Sequence, residues 1–151
     1  MQRLWYSNLS ASEIYLMISD GQRQLGVIHV KDIDWDQRIG EAGIFIGELD
    51  YHKTYLPMLA IIGLMDTFFD DLSFSALKAT VIRKNEEALN FNRMLGYTIE
   101  TERANDLTLI VTKKSYQKAR VGLDKLVHPF RQEPQIMTLT MEEKSLFILN
   151  K

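Results

Sequence analysis

Glu41 and Asn85 are the residues of this chain whose type and place could do chemistry. Glu41 opens EAGIFIGE (41–48), and a carboxylate at the head of an apolar strand can act as a proton acceptor. Beside a turn it also reads as a solvated or hydrogen-bonded acid, the ordinary state of such a group. Asn85 follows the alternating ALKATVI (76–82) and precedes EEALNFNRMLGY (86–97). Its side-chain oxygen can take an orphan N–H of a first helical turn, and Glu86 and Glu87 sit where the helix dipole favours acids. Ala88, Phe91 and Leu95 share one face of that helix, with Met94 beside them. Gly96 stands where the backbone turns left-handed past the last turn. A capped amphipathic helix between two strands explains this stretch without a ligand.

Metal chemistry finds less support. Asp32, Asp34 and Asp36 alternate, but no glycine and no terminal Glu follow in calcium-loop order, so they read as a polar strand end. His52 and His128 lie far apart with no helical pairing, which offers zinc no ligand set. His29 sits mid-strand on the face of Leu25 and Val27 and reads as a packed or edge residue. No metal is expected.

Composition bounds the rest. A chain of 151 residues, 46% hydrophobic and 25% charged, suits one globular domain. A net charge of −2 with scattered positives argues against a nucleic-acid partner. The absence of cysteine excludes a disulfide scaffold, a thiolate metal site and a Cys nucleophile. No apolar run has transmembrane length, and the N-terminus lacks the parts of a signal peptide. No membrane partner and a cytoplasmic location are therefore expected.

The elements that must position these residues follow from periodicity. EIYLMIS (13–19), QLGVIHVKDIDW (24–35) and EAGIFIGE read as three strands, with turns at Asp20-Gly21 and DQRIG (36–40). Gly40, Gly43 and Gly47 suggest a bulge or a close backbone approach. PMLAIIGLMDTFFDDL (57–72) reads as a deeply buried helix with Pro57 at its first position. The strand and helix around Asn85 come next, then a hairpin, YTIETER with DLTLIVTKK, and a helix over SYQKARVGLDKLV. The linker HPFRQEP leads to a strand-like QIMTLT (135–140) and a capped apolar helix over 141–150. This order implies an α+β fold, a mixed sheet with helices packed on it.

The same order, with Asn85, Ala88 and Leu95-Gly96-Tyr97 at its fourth strand, resembles the GNAT superfamily of N-acyltransferases over roughly residues 13–113. LGVIHVKDIDW and EAGIFIGE resemble its third and fourth strands, in the manner of branches acting on nucleotide sugars or protein N-termini. The resemblance implies acetyl-CoA or another acyl-CoA in a V-shaped gap between two splayed central strands, with a small amine or amino-sugar acceptor. It places the cofactor against Ile46, Lys53, Thr54, Tyr55 and Asn85, and a backbone N–H near Gly47 at the oxyanion. It places catalytic groups at Glu41 and Asn92.

Three departures accompany it. The family's phosphate-binding glycines fall at about His52, Thr54 and Leu56, so no residue there tolerates positive φ or close phosphate approach, and Pro57 removes one N–H. The family's acidic tyrosine is Asn92, whose amide has no proton to give; Tyr55 and Tyr97 do not fill that position. The few residues before Glu13 are too short for the family's leading strand and two helices. That leaves 13–19 as an expected sheet edge, which Gln135–Thr140 would cover from the same chain or a partner. The expected division is a domain over 1–127 and a tail over 128–151. Two functions are therefore expected in competition: an acyl-CoA-dependent N-acyltransferase with a degenerate phosphate loop and impaired catalysis, or a non-catalytic, homodimeric binding or assembly module of the same fold.

Overall fold

A computed structural model describes residues 12–19, 23–51 and 53–130. The expected turn at Asp20-Gly21, His52, and the tail pieces over 135–140 and 141–150 lie outside the described residues. Strands β1 (Ile14–Ser19), β2 (Gln24–Asp34) and β3 (Ile39–Ile46) form an antiparallel meander. Helix α1 (Leu56–Asp66) follows and ends in a π-helical turn, Thr67–Asp71. Then come β4 (Ala76–Ile82), α2 (Glu86–Met94), β5 (Thr98–Glu102), β6 (Asp106–Thr112) and α3 (Lys113–Val127). The six strands make one sheet in the order β1-β2-β3-β4-β6-β5, in which β3 and β4 are parallel and every other pair is antiparallel. The expected α+β architecture with a mixed sheet is the one the chain forms.

Both parallel connections, β3–α1–β4 and β4–α2–β5, step the same way along the sheet. Right-handed crossovers therefore put α1 and α2 on one face. The sheet's alternation supplies that face with Ile28 and Val30 of β2, Ala42 of β3 and Leu77 of β4, all buried. Helix α1 is apolar almost all round, and Met58 through Ile62, Leu64 and Met65 are buried. Helix α3 crosses it. The Tyr116 hydroxyl donates to Asp66 Oδ1, and the Arg120 guanidinium bonds both Asp66 oxygens at 3.1 Å. Burial and the bond to Asp66 push the Tyr116 phenol up, so it stays a donor. The opposite face carries Tyr15, His29, Lys31, Glu41, Phe45 and Ile82, and among the described residues no helix packs over it.

Several sequence boundaries shift for local reasons. Strand β3 starts at Ile39, so Glu41 lies within the strand. The turn before it is closed by Asp34 Oδ1, which accepts the N–H groups of Asp36 and Gln37, and by Arg38 at φ 56°. Ser75 then ties that turn to the start of β4, its N–H donating to Arg38 O at 2.8 Å. The register shift in this hairpin falls between Lys31 and Asp34 and not at a glycine. Asp32, left-handed at φ 51°, swings Ile33 back into the core. Close approach does hold at Gly40, where an added Cβ would lie 2.6 Å from Val30 Cγ1. Pro57 is the second helical residue, since α1 begins at Leu56. Helix α3 begins two residues before the expected Ser115, because Thr112 and Ser115 form a reciprocal capping box. In α2 the buried residue is Leu89; Ala88 and Phe91 are only partly buried, and Met94 is exposed. No described helix is long and apolar enough to cross a membrane.

Two stability outcomes follow. Leu77→Ala empties a fully enclosed site and costs about 2–5 kcal/mol, whereas Ile82→Ala on the same strand, where the side chain is 66% exposed, changes the urea midpoint little. Asn85 Oδ1 accepts the Ala88 N–H at 3.0 Å, so Asn85→Ala lowers stability by about 1 kcal/mol while Asn85→Asp, which keeps the acceptor, does not.

Candidate functional site

Strands β3 and β4 share only three pairs: Ile39 with Ala76, Gly40 with Leu77 and Glu41 with Lys78. Beyond Lys78 they separate. Each stays bound to its outer neighbour, β3 to β2 as far as Ile46 and β4 to β6 as far as Ile82. The result is a wedge-shaped gap opening toward the C-terminal ends of two parallel strands, where open mixed sheets place ligands.

Backbone polar groups line this gap beyond the end of the β3–β4 ladder. Gly47 donates to Leu25 O at 2.8 Å. By alternation Phe45 and Gly43 face β2 too, while the N–H and C=O groups of Ile44 and Ile46 face the gap. On the far side Arg83 donates to Asn105 O at 2.9 Å, which turns the groups of Thr80 toward the gap. Such edges demand partners. An extended chain with alternating amide donors and acceptors supplies them, and the pantetheine arm of an acyl-CoA is of that kind. This places Ile46 at the gap through its backbone, its side chain being buried. It also removes the donor expected at the oxyanion: the Gly47 N–H is held by β2.

The phosphate end fits less well. The first turn of α1 should offer converging N–H groups. The Leu56 N–H donates to Thr54 Oγ1 at 3.2 Å, Pro57 has none, and the Leu59 N–H is taken by Tyr55 O at 3.0 Å. The Met58 N–H has no partner among the described residues. Thr54 in turn donates its hydroxyl to Tyr51 O at 2.7 Å. Tyr55 stacks on Phe130, ring centroids 4.0 Å apart, so the short 3-10 turn after α3, His128–Phe130, packs beside the helix start. Lys53 is exposed nearby.

The remaining candidates occupy distinct places. Asn85 lies at the mouth of the gap, just past β4, its N–H on Ile82 O at 2.8 Å and its side-chain oxygen capping α2. Its amide nitrogen has no described partner. Asn92 lies a helix away and donates its amide to Ala88 O at 2.8 Å, a bond within its own helix. Glu41 sits at the closed end of the gap, 3.5 Å from Lys31 Nζ. Tyr97 is enclosed, and burial, with the Glu41 charge adding, pushes its phenol far up. Two side chains escaped notice in the sequence. Phe45, 67% exposed, and Ile82 stand on the two lips of the gap on the open face. The pairing of His29 with Gly43 was equally hidden, although hairpin register sets them opposite each other. Among the described residues no grouping of three His, Asp or Glu could hold a metal.

No protein-family model and no curated protein matches the sequence. Solved structures do match. A dodecameric structure of the spermidine N-acetyltransferase from Vibrio cholerae aligns at TM-score 0.65 and 16% identity, covering 76% of this chain and 73% of that one. The same enzyme in complex with manganese ions aligns at 0.64 and 16%, covering 77% and 75%. The N-acetyltransferase PseH of Campylobacter jejuni aligns at 0.58 and 19%, covering 74% and 75%. With its parted β3 and β4, the chain has the fold of the GNAT N-acetyltransferases, the superfamily its sequence resembles.

Proposed function

We propose that this protein is an acyl-CoA-dependent N-acyltransferase that moves an acetyl group to a small amine or amino sugar, with a weakened hold on the cofactor's pyrophosphate. The parting of β3 and β4 after Glu41 and Lys78 carries the reading. Backbone groups of Ile44 and Thr80 would hold the amide-bearing arm, with Ile46 lining the gap beside them. Lys53, the Met58 N–H and the free amide of Asn85 would meet the phosphates, and Thr54 and Tyr55 would shape that end. The acyl-CoA supplies an activated thioester; this chain orients it and receives the amine. Glu41 would draw a cationic amine toward the closed end of the gap. Asn92, bonded within α2, would act only by hydrogen bonding. The spermidine acceptor of the Vibrio enzymes supports a primary amine. A cytoplasmic site of action belongs to the same reading.

A second reading is favoured by the start of α1, where Pro57 and the Thr54 bond remove two of the first-turn donors. It is a non-catalytic, homodimeric module of this fold. In either case we assign residues 1–127 to the domain and 128–151 to a tail that joins two subunits.

Calorimetry with acetyl-CoA separates the readings. We expect binding weaker than about 1 μM, roughly −8 kcal/mol, and transfer to putrescine or glucosamine measured as released CoA. Absence of both binding and transfer leaves the second reading; binding tighter than that shows that the glycine-free loop is no handicap. Truncation after Val127 is expected to turn a dimer into a monomer by light scattering, and an unchanged mass removes the tail from the interface.

A further inference from the structure

We propose that His29 is the proton acceptor of this site, taking a proton from the cationic amine before it attacks, directly or through one water. The inference rests on the acyltransferase reading. It starts from a close approach. A Cβ built on Gly43 would lie 2.5 Å from His29 Cε1 and 2.6 Å from Nε2, but 3.4 Å from Nδ1. The far edge of the imidazole therefore lies across β3, over the second residue beyond the last β3–β4 pair. That is the closed end of the gap, on the face that no described helix covers. Only glycine at 43 leaves room for the ring.

The surroundings suit the role. Tyr15 of β1 stacks on the ring at 5.2 Å between centroids and fixes its plane. Glu13 before β1, Lys31 of β2 and Glu41 of β3 are the charged groups around it. Burial lowers the imidazole pKa below its usual 6.5, with Lys31 acting the same way and Glu41 and Glu13 opposing. The ring is thus neutral at neutral pH and free to accept. Glu41 is held by Lys31, which leaves His29 as the uncharged acceptor at this spot.

The chemistry balances. An acceptor RNH3+ gives one proton to His29 Nε2 and becomes RNH2. Its lone pair forms the C–N bond at the thioester carbon while the C–S bond breaks. The second N–H proton leaves with the thiolate sulfur as thiol, and the imidazolium returns its proton to water.

The test compares wild type with His29→Gln and Gly43→Ala, using acetyl-CoA with putrescine or glucosamine from about pH 5 to pH 9. Circular dichroism checks folding, and calorimetry checks acetyl-CoA binding. Wild-type kcat/KM is expected to rise with pH along an acid limb whose pKa lies below 6.5 and equals the His29 titration followed by proton NMR. Adding the amine with CoA should shift the His29 ring resonances. His29→Gln should bind acetyl-CoA as wild type does, lose about 100-fold in kcat and lose the limb; Gly43→Ala, which displaces the ring, should move the limb. Retention of rate and limb by folded His29→Gln, or an amine that leaves the His29 resonances unmoved, overturns the role and leaves the acyltransferase reading standing. Wild type that neither binds acetyl-CoA nor transfers overturns both.

Discussion

The parallel pairing of β3 with β4 stops after three residues, and the rest of the molecule depends on that brevity. A sheet strand can follow the twist of only one neighbour closely. Here β3 follows β2 along its whole length and β4 follows β6, so the two centre strands are pulled in different directions. The separation leaves backbone groups of Ile44 and Thr80 facing the gap in the middle of a sheet, where a ladder would otherwise satisfy them. Helix α1 makes the separation tolerable by burying a continuous apolar surface beneath both halves. Interior edges of this kind are stable when something polar and extended lies between them.

The start of α1 shows the opposite economy. Much of its first turn is taken by the protein itself, through Thr54, Tyr55 and a proline that has nothing to donate, with the Met58 N–H left over. Polar backbone thus lines the sides of the gap, while the start of α1 turns few free donors toward it.

Much of this was legible in the sequence where period and caps agree. ALKATVI alternates cleanly, and Leu77, Ala79 and Val81 are buried. Asn85 caps α2 as its type demands, and Gly96 does turn left-handed, at φ 93°. What the sequence concealed depends on register. That the Gly47 N–H belongs to β2 follows from the pairing of Gly26 with Ile46, which no local pattern encodes. Leu89 joins the expected stripe of Ala88, Phe91 and Leu95: Leu89 and Leu95 are buried, and Ala88 and Phe91 pack partly buried against the core. His29 reads as a packed residue and does stack on Tyr15, but its close approach to Gly43, fourteen positions away and directly opposite, is set by register.

The three-pair seam also has a mechanical meaning. The antiparallel meander β1–β2–β3 is one stiff plate, and β4–β6–β5 with α3 is another. They are stitched at one end by a few backbone bonds and underlain by α1, whose last turn is clasped to α3 through Asp66. Such a body has one soft coordinate, a scissoring of the plates about the stitch, with every other deformation resisted by full ladders. Thermal motion should therefore concentrate in the width of the gap, slow and collective in comparison with side-chain motion, and whatever settles between the plates would stiffen the entire sheet at once.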